Sequence, residues 1–194
     1  MRKHYELVFA LLKPLCALLY PRGKRVCPAL PEGSAIFCAN HSNYIDPVLL
    51  GLTVGKKHWL HFMAKAELQA NKLLGAVLKK LGVFFVKRGE NDVGAIRTTM
   101  GLLKSGEQVC IFPEGTRVSE PDAVAAKLGA VRIAMRLGVP IVPAFISRKK
   151  RLFRKADVVV GEPYYIAADA DPQKQTEELM LRIESLDPRR EKDA

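Results

Sequence analysis

The sequence has few cysteines, and none of them stands in a pattern that predicts a structural function. Its four cysteines are scattered along 194 residues, and no C-x-x-C pair occurs. This spacing gives no support to a disulfide scaffold or a zinc site, and we expect no bound metal. Unpaired thiols suit the reducing cytosol. Internal repeats and low-complexity segments are absent as well.

The sequence also lacks an apolar run long enough to cross a bilayer. Its most lipophilic stretch, residues 5–20, would form a helix of about 24 Å against a hydrocarbon core of about 30 Å. Four leucines share one face of that helix, and basic residues flank it on both sides. These leucines are Leu7, Leu11, Leu15 and Leu18. The pattern favours an amphipathic helix in the membrane interface, within a segment at 1–25.

Two other interpretations of this N-terminal stretch stay open. It could be an ordinary helix packed on the domain, or it could be a signal peptide. The break at Lys13-Pro14 and the lack of an A-x-A cleavage site argue against a signal peptide.

Acidic residues are scarce relative to basic ones. There are 20 acidic residues against 31 lysines and arginines, which gives a formal net charge of +11 at pH 7. This excess favours anionic partners (nucleic acid, an anionic membrane surface or phosphorylated substrates) without choosing among them. With 48% hydrophobic and 26% charged residues, the chain is predicted to be globular. Its length suits one domain, placed at 26–187 and followed by a charged tail at 188–194.

Short apolar runs alternate with helical patterns from residue 33 onward. Such alternation predicts an α/β class fold, a single layered domain whose largely parallel central sheet is flanked by helices on both faces. The predicted strands are 35–39, 59–63, 83–86, 108–112, 140–146 and 158–160. The predicted helices are 46–53, 67–81, 92–104, 122–137 and 172–186.

His41 and Asp46 are the strongest candidates for catalysis. They lie five positions apart, so they cannot share a face of one continuous helix. Pro47 favours a turn between them and a helix that opens at Asp46, with the aspartate as its cap. The Asp46 carboxylate can then hold one imidazole nitrogen while the other faces a substrate, as in the base and orienting parts of a triad. An alternative is a histidine in a turn beside a capping aspartate, without catalytic function.

Two later strand ends place an arginine close to a glycine. The segments 87–89 (K-R-G) and 113–117 (P-E-G-T-R) each follow a predicted strand, and ligands bind beyond such ends in open α/β sheets. Arginine suits a phosphate, and glycine lets the backbone approach it closely. Arg88 and Arg117 would thus place two cations in one cleft with His41. Each segment taken alone could also be an ordinary strand-to-turn junction.

Four blocks of sequence together resemble a known family. They are residues 40–46 (N-H-S-N-Y-I-D), 83–89 (V-F-F-V-K-R-G), 112–117 (F-P-E-G-T-R) and 139–145 (V-P-I-V-P-A-F). In this order they resemble the glycerolipid acyltransferases typified by 1-acyl-sn-glycerol-3-phosphate (lysophosphatidic acid) acyltransferase. The resemblance covers roughly 33–166. The stretch before the first block is short for that family.

The resemblance implies transfer of a fatty acyl group from a thioester to a glycerolipid hydroxyl. We expect acyl-CoA or acyl-carrier protein as the donor, lysophosphatidic acid as the acceptor, phosphatidic acid as the product and no separate cofactor. Glycerol-3-phosphate or another lysophospholipid is the alternative acceptor. The enzyme would be peripheral or monotopic, at an anionic membrane surface on the cytoplasmic face.

The resemblance also implies which residues act. His41 would take the proton from the acceptor hydroxyl and later protonate the departing thiolate, while Asp46 holds the imidazole tautomer. Substrate binding is expected of Arg88, Gly89, Glu114, Gly115, Thr116 and Arg117, with Lys65 and Lys87 as weaker candidates. Glu114 and Thr116 would either bind the glycerol hydroxyl or brace the arginines. Asn40 is a further weak candidate for stabilising charge or the substrate carbonyl.

Two other features receive simpler interpretations. Ser42 adjoins His41 without a surrounding G-x-S-x-G motif, so we expect it to cap the following helix. Acyl transfer is then expected to be direct, without an acyl-enzyme. The basic run 148–155 is interpreted as a solvated face that could meet anionic lipid or an acidic carrier protein.

Two functions of other classes compete with catalysis. A nucleic-acid-binding module would explain the basic charge, but no P-loop, G-x-G-x-x-G or aromatic-basic RNA signature occurs, so we expect no nucleic-acid partner. A non-catalytic lipid-binding protein would bind vesicles without turnover.

Overall fold

A computed structural model describes residues 2–21, 23, 29–86, 93–115 and 128–190, and within these ranges six strands form one sheet between helices. The strands are β1 (Ala35–Ala39), β2 (Leu60–Lys65), β3 (Phe84–Val86), β4 (Gln108–Ile111), β5 (Ile141–Ile146) and β6 (Val158–Val160). The helices are α1 (Arg2–Leu19), α2 (Asp46–Val54), α3 (Lys72–Lys80), α4 (Val93–Lys104), α5 (Gly129–Leu137) and α6 (Pro172–Ser185). The α/β prediction is confirmed.

The sheet has the strand order β3–β2–β4–β1–β5–β6. All neighbouring pairs are parallel except β5 and β6, which are antiparallel. β1 lies between β4 and β5, and all five of its residues are buried. A strand covered on both faces needs a continuous apolar run, which the β1 sequence A-I-F-C-A supplies.

Alternating residues of β1 belong to separate cores on the two faces of the sheet. Phe37 lies in one hydrophobic cluster with Leu50 of α2. Ile36 lies in the other cluster, with Val131 of α5 and Leu179 of α6. All five side chains are fully buried. Because side chains alternate along a strand, β1 packs against helices on both faces of the sheet.

The helix predicted at 67–81 is wrong in its extent. The structure has a short 3-10 helix (Ala66–Gln69) and then α3 as a separate helix. Asn71 lies between them, and its side chain accepts a hydrogen bond from the Leu74 N–H at 3.0 Å. An asparagine in this position caps a new helix with a non-helical backbone, so one continuous helix cannot form.

Helix α1 turns an apolar stripe towards solvent. The exposed leucines are Leu7 (61%), Leu11 (65%), Leu15 (49%) and Leu18 (64%), whereas Cys16 on the other side is buried. This stripe is the one that the sequence pattern predicts, and it is left uncovered by the domain. Among the described residues, no helix is long and apolar enough to span a bilayer.

Candidate active site

The carboxyl ends of three central strands lie at one edge of the sheet. β1 pairs with β4 through Cys38 and Ile111, and with β5 through Ala39 and Ala144. Because these pairings are parallel, the segments that follow the three strands leave the sheet side by side. Ligands bind at this edge in open α/β sheets, and His41 lies just beyond the end of β1.

Asn40 ties the end of β1 to the end of β5. Its side chain donates to the Ile146 carbonyl and accepts from the Ile146 N–H, both at 2.7 Å. The residue is fully buried. The expectation that Asn40 stabilises the substrate is therefore wrong, because its amide already serves the backbone and is closed to solvent. Its contacts instead fix the position from which the His41 segment starts.

His41 and Asp46 form a hydrogen-bonded pair. His41 Nδ1 lies 3.0 Å from Asp46 Oδ2, and the same oxygen accepts the backbone N–H groups of Ser42 and Asn43 at 2.7 Å each. An ionised carboxylate only accepts hydrogen bonds, so Nδ1 carries the hydrogen and Nε2 is the basic nitrogen. The imidazole side chain is 13% exposed and the carboxylate is fully buried. A substrate can thus approach the ring but not the aspartate.

The turn that joins this pair differs from the predicted one. Asp46 is the first residue of α2, and the residue in the cap position is Ile45, which makes no side-chain cap. The Asp46 carboxylate instead turns back to the amides of 42 and 43. Ser42 does not cap the helix as expected, because its hydroxyl donates to the Arg148 carbonyl at 3.1 Å.

Phe112 supports the imidazole from its face. The two rings are stacked, with centroids 4.2 Å apart and planes inclined by 20°. Phe112 directly follows β4, and β4 pairs with β1, so the ring lies beside His41 at the same edge of the sheet. The hydrogen bond to Asp46 and this stacking together restrict the rotation of the His41 ring.

Lys150 contacts the second oxygen of Asp46. Its Nζ lies 2.7 Å from Asp46 Oδ1, and both side chains are fully buried. The ammonium also donates to Ser42 Oγ at 2.8 Å and to the Ser147 carbonyl. Asp46 is thus held between an imidazole on one oxygen and a cation on the other.

These contacts determine the protonation of the pair. Burial acts to raise the pKa of Asp46, but the His41 hydrogen bond, the Lys150 charge and the Ser42 amide outweigh it, so the pKa lies below its ordinary value. Burial lowers the pKa of Lys150, and the attraction of Asp46 acts against this change. The lowered pKa of Asp46 favours the carboxylate, and Lys150 lies against it as its partner.

Arg148 connects helix α6 to the backbone of His41. Its Nη2 donates to Glu114 Oε1 at 2.9 Å and also to Glu184 of α6. The other oxygen of Glu114 accepts the His41 N–H at 2.8 Å. Burial acts to lower the pKa of Arg148, but the two carboxylates outweigh it and raise the pKa. The guanidinium therefore stays charged and holds Glu114 beneath the histidine.

The basic run 148–155 is only partly a solvated face, so this prediction is wrong for two of its residues. The side chain of Arg148 is 7% exposed and that of Lys150 is fully buried. Lys149 and the residues 151–155 are exposed as expected. The buried pair faces the site because the run starts at the carboxyl end of β5, next to β1.

Glu114 and Gly115 occupy defined positions in the turn after β4. Glu114 is 3% exposed, and both of its oxygens accept hydrogen bonds from protein groups. The arginine that it braces is Arg148. The expected contacts of Glu114 with Arg88, Arg117 or substrate stay predictions, because both arginines lie outside the described residues. Gly115 has φ +68°, and its N–H bonds to the Phe112 carbonyl at 3.0 Å. Its left-handed backbone closes the turn.

The other predicted substrate-binding residues are not tested by these contacts. Lys65 ends β2 on the same edge, is exposed, and is separated from β1 by β4. Lys87, Arg88, Gly89, Thr116 and Arg117 lie outside the described residues. In the described part of the chain, no cluster of three or more His, Cys, Asp or Glu side chains could hold a metal ion.

Sequence reasoning missed Lys150 and Arg148 as parts of the site. A usable signal existed, because both follow the end of a predicted strand, as His41 does. A run of six cations within eight residues is nevertheless typical of solvated surface, and that pattern hid the two buried members. The structure shows an imidazole hydrogen bonded to a braced carboxylate, which suits general base catalysis.

Sequence comparison relates the chain to known proteins. A family model described as "Acyltransferase" matches residues 21–147. The 1-acyl-sn-glycerol-3-phosphate acyltransferase of Bacillus subtilis is 40% identical over 170 residues, which is 81% of this chain and 84% of that protein. The lyso-ornithine lipid O-acyltransferase of Pseudomonas aeruginosa is 32% identical over 140 residues, which is 72% of this chain and 52% of that protein.

A solved structure has the same fold. The crystal structure of the 1-acyl-sn-glycerophosphate (LPA) acyltransferase PlsC from Thermotoga maritima aligns with a TM-score of 0.66 over 96% of this chain and 78% of that chain. The two sequences are 24% identical, so this likeness establishes the architecture alone.

Proposed function

The chain belongs to the acyltransferase family, and on that premise we propose that it acylates lysophosphatidic acid to give phosphatidic acid. The acyl donor in this proposal is a thioester, acyl-CoA or acyl-carrier protein. The observation that carries the proposal is the 3.0 Å contact between His41 Nδ1 and Asp46 Oδ2. It leaves the opposite imidazole nitrogen as a base at the ligand-binding edge of the sheet.

In this reaction His41 takes the proton of the acceptor hydroxyl through Nε2. The hydroxyl oxygen attacks the thioester carbonyl, and the imidazolium then returns the proton to the departing thiolate. Asp46 keeps the hydrogen on Nδ1 and stabilises the imidazolium between the two steps. Transfer is direct, without an acyl-enzyme, since the Ser42 hydroxyl is engaged by Arg148 and Lys150. General base catalysis of this kind is worth about 10²–10⁴-fold.

The acceptor is assigned from chemistry and from the names of the relatives. Lysophosphatidic acid carries a phosphate, and the strand-end arginines Arg88 and Arg117 would bind it, with Gly89 and Thr116 beside them. Lys65 and Lys87 would add positive charge. A second candidate acceptor is another lysolipid, which is favoured by the 32% identity to a lyso-ornithine lipid O-acyltransferase.

We place the reaction at an anionic membrane surface. The leucine stripe of α1 is exposed, and so are Leu152 and Phe153 at the tip of the 148–155 segment. The Phe153 N–H donates to the Leu19 carbonyl at 2.6 Å, which joins this tip to the end of α1. Exposed cations at 151, 154 and 155 flank the tip and would meet lipid phosphates. This surface follows β5 directly and thus adjoins the His41 edge.

The proposal is tested by a transfer assay with the purified chain. Acyl-CoA and acyl-carrier protein are each offered with lysophosphatidic acid, glycerol-3-phosphate, lysophosphatidylcholine and lyso-ornithine lipid. We expect turnover with lysophosphatidic acid to exceed turnover with the others. Turnover confined to lyso-ornithine lipid would assign the second acceptor, and vesicle binding without any turnover would assign a lipid-binding protein.

His41→Ala tests the catalytic assignment. We expect acyl transfer to fall by about 10²–10⁴-fold, because the base is lost. Thermal unfolding should change little, because Asp46 keeps the amides of Ser42 and Asn43 and the contact with Lys150 as partners. Retained turnover in this variant would reject the mechanism.

A further inference from the structure

Lys150 is a fully buried cation at the site, and general base catalysis as described leaves its function open. Its side chain is fully buried, although it stands in a run of exposed basic residues. Burying an ammonium is costly unless it is paired and hydrogen bonded. Here it has an ion pair with Asp46 and donates to Ser42 Oγ and to the Ser147 carbonyl. The three acceptors match the three hydrogens of an ammonium.

The position of Lys150 relative to His41 is defined by one carboxylate. Lys150 Nζ lies 2.7 Å from Asp46 Oδ1, and His41 Nδ1 lies 3.0 Å from Asp46 Oδ2. A cation on Oδ1 balances the charge of Asp46 and keeps the carboxylate from turning away from the ring. It also joins the segment after β5 to the segment that carries His41, through the hydroxyl of Ser42.

We propose that Lys150 is a positioning residue for the His41–Asp46 pair, which holds the carboxylate against Nδ1 so that Nε2 faces the acceptor hydroxyl. This inference rests on the proposed acyltransferase function. It adds a buried cation to the base and the orienting carboxylate, so that the working unit is a row of imidazole, carboxylate and ammonium.

Other charged and titratable groups also surround the pair. Arg148 lies beside Lys150, and Glu114, from the segment after β4, accepts the backbone N–H of His41. Glu184 of α6 neutralises part of the Arg148 charge. Burial and the nearby charge of Asp46 both raise the pKa of the Cys110 thiol in β4, so this thiol stays protonated. Lys150 is therefore the cation in direct contact with Asp46 among the described residues.

The electrostatic consequence has a definite sign. With Lys150 present, the positive charge of the ammonium offsets part of the attraction that the carboxylate exerts on a proton at the imidazole. Without it, the whole charge of Asp46 acts on His41 and favours the protonated ring, which is inactive as a base. The contacts of 2.7 Å and 3.0 Å to the two oxygens of one carboxylate keep the two nitrogens within about 8 Å of each other. At an effective dielectric of about 20, loss of a cation at such a separation predicts that the acid limb of kcat/KM moves by about one pH unit or more.

The experiment compares Lys150→Met with Lys150→Arg. The pH dependence of kcat/KM is measured from pH 5 to 9, with Lys174→Met as a control, because Lys174 is an exposed lysine on α6. For Lys150→Met we expect the acid limb of the profile to move to higher pH by about one unit. KM for the acceptor should change less than twofold. Lys150→Arg should restore the limb at least partly, and the control should match the wild type.

A purely structural function would give a different result. Activity would then fall by the same factor at every pH, with the acid limb unmoved, and this outcome would overturn the proposal. If Lys150→Met does not fold, Lys150→Gln removes the charge and keeps a hydrogen-bond donor near Ser42, and the same shift is expected.

A measurement that does not depend on turnover tests the positioning function of Lys150 independently of the proposed acyltransferase function. The His41 ring is followed by NMR titration in the wild type and in the uncharged variant. An upward displacement of its midpoint supports Lys150 as the positioning residue even if no tested acceptor is acylated. If the protein acylates an acceptor but the variant has an unchanged midpoint, the proposed acyltransferase function stands and the positioning function of Lys150 is rejected.

Discussion

Removal of Arg148 is the sharpest test of the contacts that support the active site. Arg148 bridges Glu114 and Glu184, and the side chains of Arg148 and Glu114 are 7% and 4% exposed. Removing one partner of a buried ion pair leaves an uncompensated charge and typically costs about 3–5 kcal/mol. In a domain of this size each kcal/mol lowers Tm by about 2–4 °C. Arg148→Ala should therefore lower Tm by roughly 10 °C.

The same variant should impair catalysis through Glu114. With Arg148 absent, one oxygen of Glu114 has lost its donor, and the carboxylate can leave the His41 N–H that it now accepts at 2.8 Å. We expect kcat/KM to fall at temperatures where the variant is still fully folded. Glu114→Gln keeps the shape of the side chain and one carbonyl oxygen for the His41 N–H, so its effect on kcat/KM should be smaller.

The assay combines thermal and urea unfolding with steady-state kinetics on the folded variants. Arg182→Ala is the control, because its ion pair with Glu178 is exposed (46% and 43%). That pair and the contact of Arg182 with the Tyr164 ring together should contribute no more than about 2 kcal/mol. If Arg148→Ala loses no more free energy of unfolding than Arg182→Ala, the reasoning from burial is refuted. A destabilised variant with unchanged kcat/KM would refute only the connection to His41.

Two further predictions concern acid stability and membrane binding. Because the pKa of Asp46 is lowered by folding, its stabilisation is present above the unfolded value of about 3.9 and is lost as the pH falls through the folded pKa. Urea unfolding across pH 2–6 should show that the free energy of unfolding of Asp46→Asn falls less on acidification than that of the wild type. An equally steep fall in the variant would contradict this prediction. Leu11→Gln with Leu15→Gln should weaken sedimentation with anionic vesicles about tenfold or more, since each leucine buries apolar area in lipid. Leu181→Gln, an equally exposed leucine of α6, is the control, and an equal loss there would reject α1 as the binding face.

The sequence by itself determined the architecture and the central pair. The alternation of apolar runs and helical patterns predicted the α/β sheet. A strand covered on both faces is a short continuous apolar run, whereas a helix covered on one face repeats its apolar residues every three or four positions. The spacing of His41, Asp46 and Pro47 predicted a turn that brings base and carboxylate together. The exposed stripe of α1 was also readable, since its four leucines recur at helical spacing.

The tertiary structure decided which residues surround that pair. Lys150 and Asp46 are more than a hundred positions apart, and they pair because β5 lies next to β1 in the sheet. Glu114 reaches the His41 backbone because β4 lies on the other side of β1. Strand order is set by crossovers and packing and has no local signature in the chain. Charge pattern alone therefore assigned Arg148 and Lys150 to solvent, whereas adjacency of the strands buries them against the carboxylates.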